Sequence, residues 1–174
     1  MGSASEIGCS ELAQTQIEKA GALANSIAKH DGLLLTGATT GLIYLVGKTA
    51  HDLSVFHLGI SPAANLEEHI NHYKLPVDAC DAIVYTGFGL KGRNVVLVRS
   101  CDIVLFIAGA MGSLNEFTIA HDEGKVIGCL SGTGGVADES DMLVQKFGKQ
   151  TRARVFHNEY PEQLIETCLR ALED

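Results

Sequence analysis

The feature that most constrains this chain is a rhythm. Short, continuously apolar runs alternate with stretches whose apolar residues recur at helical spacing. Leu33-Leu34-Leu35-Thr36, Val55 to Ile60, Ala82-Ile83-Val84-Tyr85, Ile103 to Ile107, Val126 to Leu130 and Val155-Phe156 read as strands. The helical stretches are Glu11 to His30, Gly41 to Leu53, a short one at Asn65 to His72, then Arg93 to Arg99, Ser113 to Glu123, Glu139 to Phe147 and Pro161 to Leu172. Strands that are apolar along their whole length are those buried on both faces, as in a parallel sheet covered by helices on each side. The expected fold is therefore α/β, a parallel sheet with helices on both faces. The 174 residues, without a linker or an internal repeat, predict one domain over residues 1–174.

The amino terminus breaks the rhythm. Met1-Gly2-Ser3-Ala4-Ser5 is small and polar, and no apolar run precedes the first helix. In a doubly wound sheet the first strand is normally central. Open strand edges in its place would leave peptide groups without partners. The favoured expectation is that the sheet closes up, with the neighbours of the missing strand pairing directly; the alternative is that another segment, such as one from a second subunit, fills the place.

In such sheets ligands bind at the carboxyl ends of the strands, and those ends are where the glycines fall. The first turn is Thr36-Gly37-Ala38-Thr39-Thr40-Gly41. Glycine lets backbone N–H groups approach an anion, and a helix N-terminus favours negative charge. A plain tight turn is the alternative. The second is Gly87-Phe88-Gly89-Leu90-Lys91-Gly92-Arg93-Asn94, formally G-x-G-x-x-G. A dinucleotide site would also need an acid at the end of the next strand, and Phe106-Ile107-Ala108-Gly109 has none, which disfavours a nicotinamide oxidoreductase. Arg93 and Arg99 on the following helix are candidates to grip a phosphate, or to form surface ion pairs.

The third turn is Ala108-Gly109-Ala110-Met111-Gly112-Ser113-Leu114-Asn115-Glu116. Ser113 and Glu116 match the capping box S-x-x-E, in which Glu116 would only satisfy a helix end. The alternative is a carboxylate placed beside a sugar, where it can stabilise an oxocarbenium-like transition state or handle a proton.

Other features exclude functions. A net charge of -8 with scattered cations argues against nucleic-acid partners. Five cysteines without a C-x-x-C spacing predict reduced thiols in a cytoplasmic protein, with Cys101 and Cys129 as small core residues. No apolar stretch approaches the length of a membrane span, and no basic-then-apolar signal segment opens the chain. His69 and His72, three apart in Glu67 to His72, read as a solvated helix, and no metal or cofactor is expected. Gly132-Thr133-Gly134-Gly135 either closes over a ligand or is a flexible loop.

Gly109-x-x-Gly112-Ser113-x-x-Glu116 resembles the P-G-G-x-G-T-x-x-E signature of the LOG family within the SLOG superfamily, phosphoribohydrolases once described as lysine decarboxylases. Gly92-Arg93-Asn94 through Arg99-Ser100-Cys101-Asp102 resembles that family's arginine-bearing helix and following strand. Thr36 to Gly41 and Gly59-Ile60-Ser61-Pro62-Ala63 are similar to a bacterial subgroup related to molybdenum-cofactor carrier proteins. The similarity runs from the first helix to about Asp138. It implies a Rossmann-like fold, a homodimer or higher homo-oligomer, and a nucleotide-like ligand. It implies a catalytic set of Arg93, Arg99 and Glu116, with phosphate held by Gly37, Thr39, Thr40, Gly41, Gly89, Gly92, Asn94, Gly109, Gly112 and Ser113. Ala108, Ala110 and Ser113 depart from the signature. Ser113 keeps the hydroxyl, whereas Ala110 adds a Cβ where backbone approaches the ligand. Two functions follow from the resemblance. One is hydrolysis of the N-glycosidic bond of a nucleoside 5′-monophosphate; the other is a carrier or sensor of a nucleotide or molybdopterin-type cofactor without turnover.

Overall fold

The computed structural model describes residues 1–4 and 8–173. Strands β1 (Leu34–Thr36), β2 (His57–Ser61), β3 (Ala82–Tyr85), β4 (Ile103–Ile107), β5 (Val126–Leu130) and β6 (Arg154–Asn158) alternate with helices α1 (Glu11–Lys29), α2 (Gly41–Asp52), α3 (Leu66–Asn71), α4 (Gly89–Arg99), α5 (Met111–Asp122), α6 (Gly135–Phe147) and α7 (Pro161–Glu173). All strand pairings are parallel. Apolar residues of α1, α2 and α7 form one core cluster with β5 and the end of β4. Phe117, Val98, Val136 and Ala137 of α4, α5 and α6 form another with Phe106, Ile127 and Cys129. This is the Rossmann-like α/β domain that the alternating pattern predicts.

Local chemistry explains where the element ends differ from expectation. Ser54 takes φ 64° and the Val55 amide still donates to Ala50 O of α2 at 2.9 Å, so β2 begins only at His57. Helix α6 starts at Gly135, four residues before Glu139, because Asp138 Oδ1 and Oδ2 accept from the Gly132 and Gly134 amides at 2.8 and 2.7 Å. Thr133 is buried, accepts from the Ala108 amide and donates to Leu130 O, so the 132–135 segment is a bonded turn and not a lid.

The sheet does not close up. It consists of two three-stranded halves, β1-β2-β3 and β4-β5-β6, and β1 does not pair with β4. Closure would force the helices packed over each half into one another, since α1 bridges both halves by packing on α2 and on α7. Met1 to Ala4 lies at the top of the gap. Gly2 makes a parallel bridge to Ile107, Ile107 N–H donates to Met1 O at 3.0 Å, and Leu42 N–H donates to Ser3 O at 3.0 Å. The Ser5 position of the small-residue turn lies outside the described residues.

Candidate functional site

A cavity of about 230 Å³ opens at the carboxyl ends of β1 and β4. Its walls come from the Gly37 turn, the first turns of α4 and α5, and residues 1–4. At its floor Arg93 Nη1 stands 3.9 Å from Glu116 Oε1, and the two residues are only 6% and 7% exposed. Asn94 adjoins the pair. With its amide turned so that oxygen and nitrogen meet complementary partners, it donates to Glu116 Oε1 at 3.1 Å and Leu90 O at 3.0 Å.

Gly37 is required by this arrangement. A Cβ there would lie 1.6 Å from Arg93 Nη1, so the guanidinium occupies the space a side chain would fill. The turn is held from beneath. Thr36 Oγ1 contacts His57 Nε2 at 2.7 Å and accepts from the Ala38 amide at 3.2 Å. Burial pushes the His57 pKa down, so the ring serves the turn as a neutral partner.

Burial also sets the electrostatics of the floor. Desolvation raises the Glu116 carboxyl above the usual carboxylate range, against the opposing pull of the Met1 ammonium, Arg93 and Lys91. Desolvation likewise lowers the Arg93 pKa, although Glu116 opposes it. At 3.9 Å the pair is an ion pair and not a short bidentate clamp. Arg93 Nε, buried, has no hydrogen-bond partner among the described residues. An orphaned buried guanidinium donor is costly, and an anionic ligand would relieve it. The first amides of α5, at Met111, Gly112 and Ser113, have no acceptor within their helix and face the same end.

The structure brings together Gly37, Thr39, Arg93, Asn94, Gly112, Ser113 and Glu116 from the predicted set, all lining the cavity. It rejects the capping alternative for Glu116. Helix α5 begins at Met111 behind Ala110, which puts Ser113 inside the first turn, where its hydroxyl donates to Gly2 O at 3.0 Å.

Six predicted residues are not in the lining, each for a physical reason. Arg99 follows Arg93 by six positions, about 9 Å along the axis and about 120° around it. It pairs at the exposed surface with Glu123, Nε to Oε2 3.5 Å. Gly89 belongs to a structural turn: the Gly87, Phe88 and Gly89 amides donate to Ala63 O, Thr86 Oγ1 and Pro62 O, leaving none for a ligand. Gly92 makes room for Phe88, whose Cβ would lie 2.8 Å from a Cβ there. Gly109 takes φ 113° over the Ser113 side chain and accepts from Val136 N–H. Thr40 donates to Ala4 O at 2.7 Å, and Gly41 takes φ 69° to open α2.

Sequence reasoning missed Lys91, Leu90 and residues 1–4 as walls. Lys91 carried a signal, a cation in the first turn of the arginine-bearing helix. Residues 1–4 carried none, because their place depends on the gap. Of the other candidates, His69 is a core residue bonded to Ser61 Oγ and Pro76 O, and no metal-binding cluster occurs among the described residues. Ser140, His157 and Asp141 have the order of a nucleophilic triad, but Ser140 is fully buried and donates to Ala137 O.

A parallel sheet with this pocket at its carboxyl edge defines a Rossmann-like protein whose site is built from strand-to-helix turns. The chain belongs to the SLOG cluster4 family, whose model matches residues 1–165. It is similar to the crystal structure of TM1055, a structural-genomics target, at TM-score 0.82 and 22% identity over 98% of this chain and 96% of that one. It is also similar to the molybdenum cofactor binding protein of Rippkaea orientalis, at TM-score 0.68 and 24% identity over 92% and 89% of the chains. A third likeness is to the molybdenum cofactor carrier protein of Chlamydomonas reinhardtii, at TM-score 0.69 and 20% identity over 99% and 95%. What these structures share with the chain is the fold. Among the described residues no helix is long and apolar enough to cross a membrane.

Proposed function

We propose that this protein binds a nucleoside 5′-monophosphate in the Arg93–Glu116 pocket and cleaves its N-glycosidic bond, releasing base and ribose 5-phosphate. The phosphate sits at the α5 N-terminus, against the Gly112 amide, Lys91 and Arg93. Glu116 acts at the ribose. The observation that carries this reading is a buried carboxylate held beside an arginine whose Nε has no partner among the described residues. A pocket meant only to hold phosphate gains nothing from a buried carboxylate, which repels the anion. A pocket that must meet both a phosphate and an electron-poor sugar carbon uses both charges. Burial raises the Glu116 pKa, the direction that suits a carboxyl handing a proton to the departing base.

The competing reading is a carrier of a nucleotide or molybdopterin-type cofactor, favoured by the likeness to the two molybdenum-cofactor proteins. Incubation with a panel of nucleoside monophosphates separates the two. Free base released by the wild type and not by Glu116→Gln supports hydrolysis. Saturable binding with no base released from any nucleotide supports the carrier.

The same reading has the protein acting in the cytoplasm as a homodimer. Burial holds the Cys80, Cys129 and Cys168 thiols protonated, with pKa values pushed up to about 11, about 11 and about 12, so they are packed and unreactive. Phe88, which caps α4, and Val95, seven residues further along that helix, are 65% and 41% exposed. Val95→Asp is expected to convert a dimer to a monomer in light scattering. A wild type that is monomeric at all concentrations would contradict the dimer.

A further inference from the structure

Two buried histidines reach two neighbouring strand ends in the same way. The His57 ring meets the end of β1, and the His69 ring, from α3, meets the end of β2. Each ring spends one nitrogen on a backbone carbonyl, His57 Nδ1 on Ala79 O and His69 Nε2 on Pro76 O at 3.1 Å. A carbonyl only accepts, so each of those nitrogens carries a proton. The other nitrogen faces a hydroxyl: His57 Nε2 stands 2.7 Å from Thr36 Oγ1, and His69 Nδ1 stands 2.8 Å from Ser61 Oγ. Each hydroxyl oxygen also accepts from the amide two residues on, Ala38 at 3.2 Å and Ala63 at 3.0 Å.

The two arrangements differ in what the turn above them touches. The Ser61 turn leads to Ala63, whose carbonyl takes the Gly87 amide, and neither Ser61, Ala63 nor His69 lines the cavity. The Thr36 turn leads to Gly37, whose bare α-carbon faces the Arg93 guanidinium. Ala38 takes φ 47°, a left-handed conformation that a non-glycine residue keeps only where its surroundings impose it. The fit around it is close. A Cβ at Gly59 would lie 2.8 Å from Ala38 Cβ, and a Cβ at Gly47 would strike the His57 ring. Glycine inside a helix is less stable than alanine, so Gly47 in α2 marks the space the ring requires. Asp81 Oδ2 fixes the ring's backbone by accepting from His57 N–H at 2.8 Å.

We propose that His57, which does not line the cavity, is a positioning residue for it: through the Thr36 hydroxyl it imposes the Ala38 conformation and so sets the Gly37 turn against which the Arg93 guanidinium rests. Donation runs one way, from Ala38 N–H to Thr36 Oγ1, from the Thr36 hydroxyl to His57 Nε2, and from His57 Nδ1 to Ala79 O. Burial keeps the ring neutral, which leaves Nε2 able to accept. The inference rests on the Arg93 pocket being an anion site, and not on hydrolysis.

The test sets the two histidines against each other in the full chain. His57→Phe and His69→Phe remove the same two hydrogen bonds from the two arrangements, and both should lower the melting temperature. Only His57→Phe should weaken sulfate binding in calorimetry, by about tenfold, the scale that orienting partners reach at metal sites. His57→Asn, whose amide reaches only the Nδ1 position, should lose as much. His57→Gln, whose amide oxygen reaches the place of Nε2, should recover part of it. Imidazole nitrogen NMR, above the ordinary histidine pKa, should show opposite tautomers, with the proton on Nδ1 of His57 and on Nε2 of His69. The Arg93 Nε–H resonance should move in His57→Phe and His57→Asn and stay in place in His69→Phe, with or without sulfate. Equal loss of sulfate affinity from both histidines would reduce His57 to packing and overturn the proposal. So would an unmoved Arg93 resonance, or a His57 proton on Nε2. A wild type that takes up no sulfate would overturn the anion reading of the pocket instead, and the Arg93 resonance would still decide the role of His57.

Discussion

Two glycine turns in this protein look alike in sequence and do opposite things. The turn at Gly87-Phe88-Gly89 leaves β3 and enters α4; the turn at Gly109 to Gly112 leaves β4 and enters α5. In the first, three successive amides are taken up by Ala63 O, Thr86 Oγ1 and Pro62 O, so the glycines serve positive φ and close packing against the 61–63 loop. In the second, the Gly109 carbonyl accepts from Val136, while the helix that follows opens into the cavity over Arg93 and Glu116. Glycine spacing reports that a backbone makes an unusual turn; it does not report where its N–H groups go. The better guide to the site is the charged pair that the turns enclose.

The largest effect expected from breaking this difference is at Arg93. Arg93→Ala removes the cation at the floor and leaves Glu116 buried alone, a change that costs about 3–5 kcal/mol in comparable buried pairs. Thermal melts should show that loss, and calorimetry should show nucleoside-monophosphate binding reduced by more than tenfold. Combining Arg93→Met with Glu116→Gln should restore much of the stability and none of the binding.

The next effect compares the turns directly. Gly37→Ala places a methyl on the Arg93 guanidinium, and Gly89→Ala forces a Cβ onto φ 65°. A left-handed non-glycine residue costs about 1–2 kcal/mol. Gly89→Ala should therefore lower the melting temperature while affinity stays within about twofold. Gly37→Ala should lose affinity even where it still folds. The reverse pattern would move the site to the α4 turn.

A smaller effect concerns pH. The folded Glu116 carboxyl titrates above its unfolded value because it is buried. It therefore contributes stability that is complete below the ordinary carboxylate range and is lost as pH rises through its raised pKa. Sulfate, a dianion throughout, should bind more tightly below that raised value, where Glu116 is neutral, and more weakly above it. Glu116→Gln should flatten both dependences, as read by melting and by sulfate titration at several pH values. The smallest effect is at Arg99, where the exposed pair with Glu123 is worth at most about 1 kcal/mol. Arg99→Ala should leave both binding and base release unchanged.

The fold was legible because strands buried on both faces have a one-line signature: Val126 to Leu130 and Ile103 to Ile107 match their observed limits. The start of α6 was not, because it depends on where the Asp138 carboxylate points. Within the site, Arg93 and Glu116 were legible from the turns that precede them. The glycines were less so, since the same residue type admits a guanidinium at Gly37 and merely accommodates Phe88 at Gly92. Direct closure of the sheet was the natural expectation from unpaired edges. It fails because α1 packs across both halves and keeps β1 and β4 apart.

The most direct test of the central claim is a crystal structure of the Glu116→Gln protein with a nucleoside 5′-monophosphate. The phosphate should lie at the amino end of α5, within hydrogen-bond distance of the Gly112 amide and of the Arg93 guanidinium, with the ribose against residue 116. A phosphate seated instead on the Gly87–Gly89 turn, or a nucleotide bound away from Arg93, would contradict it.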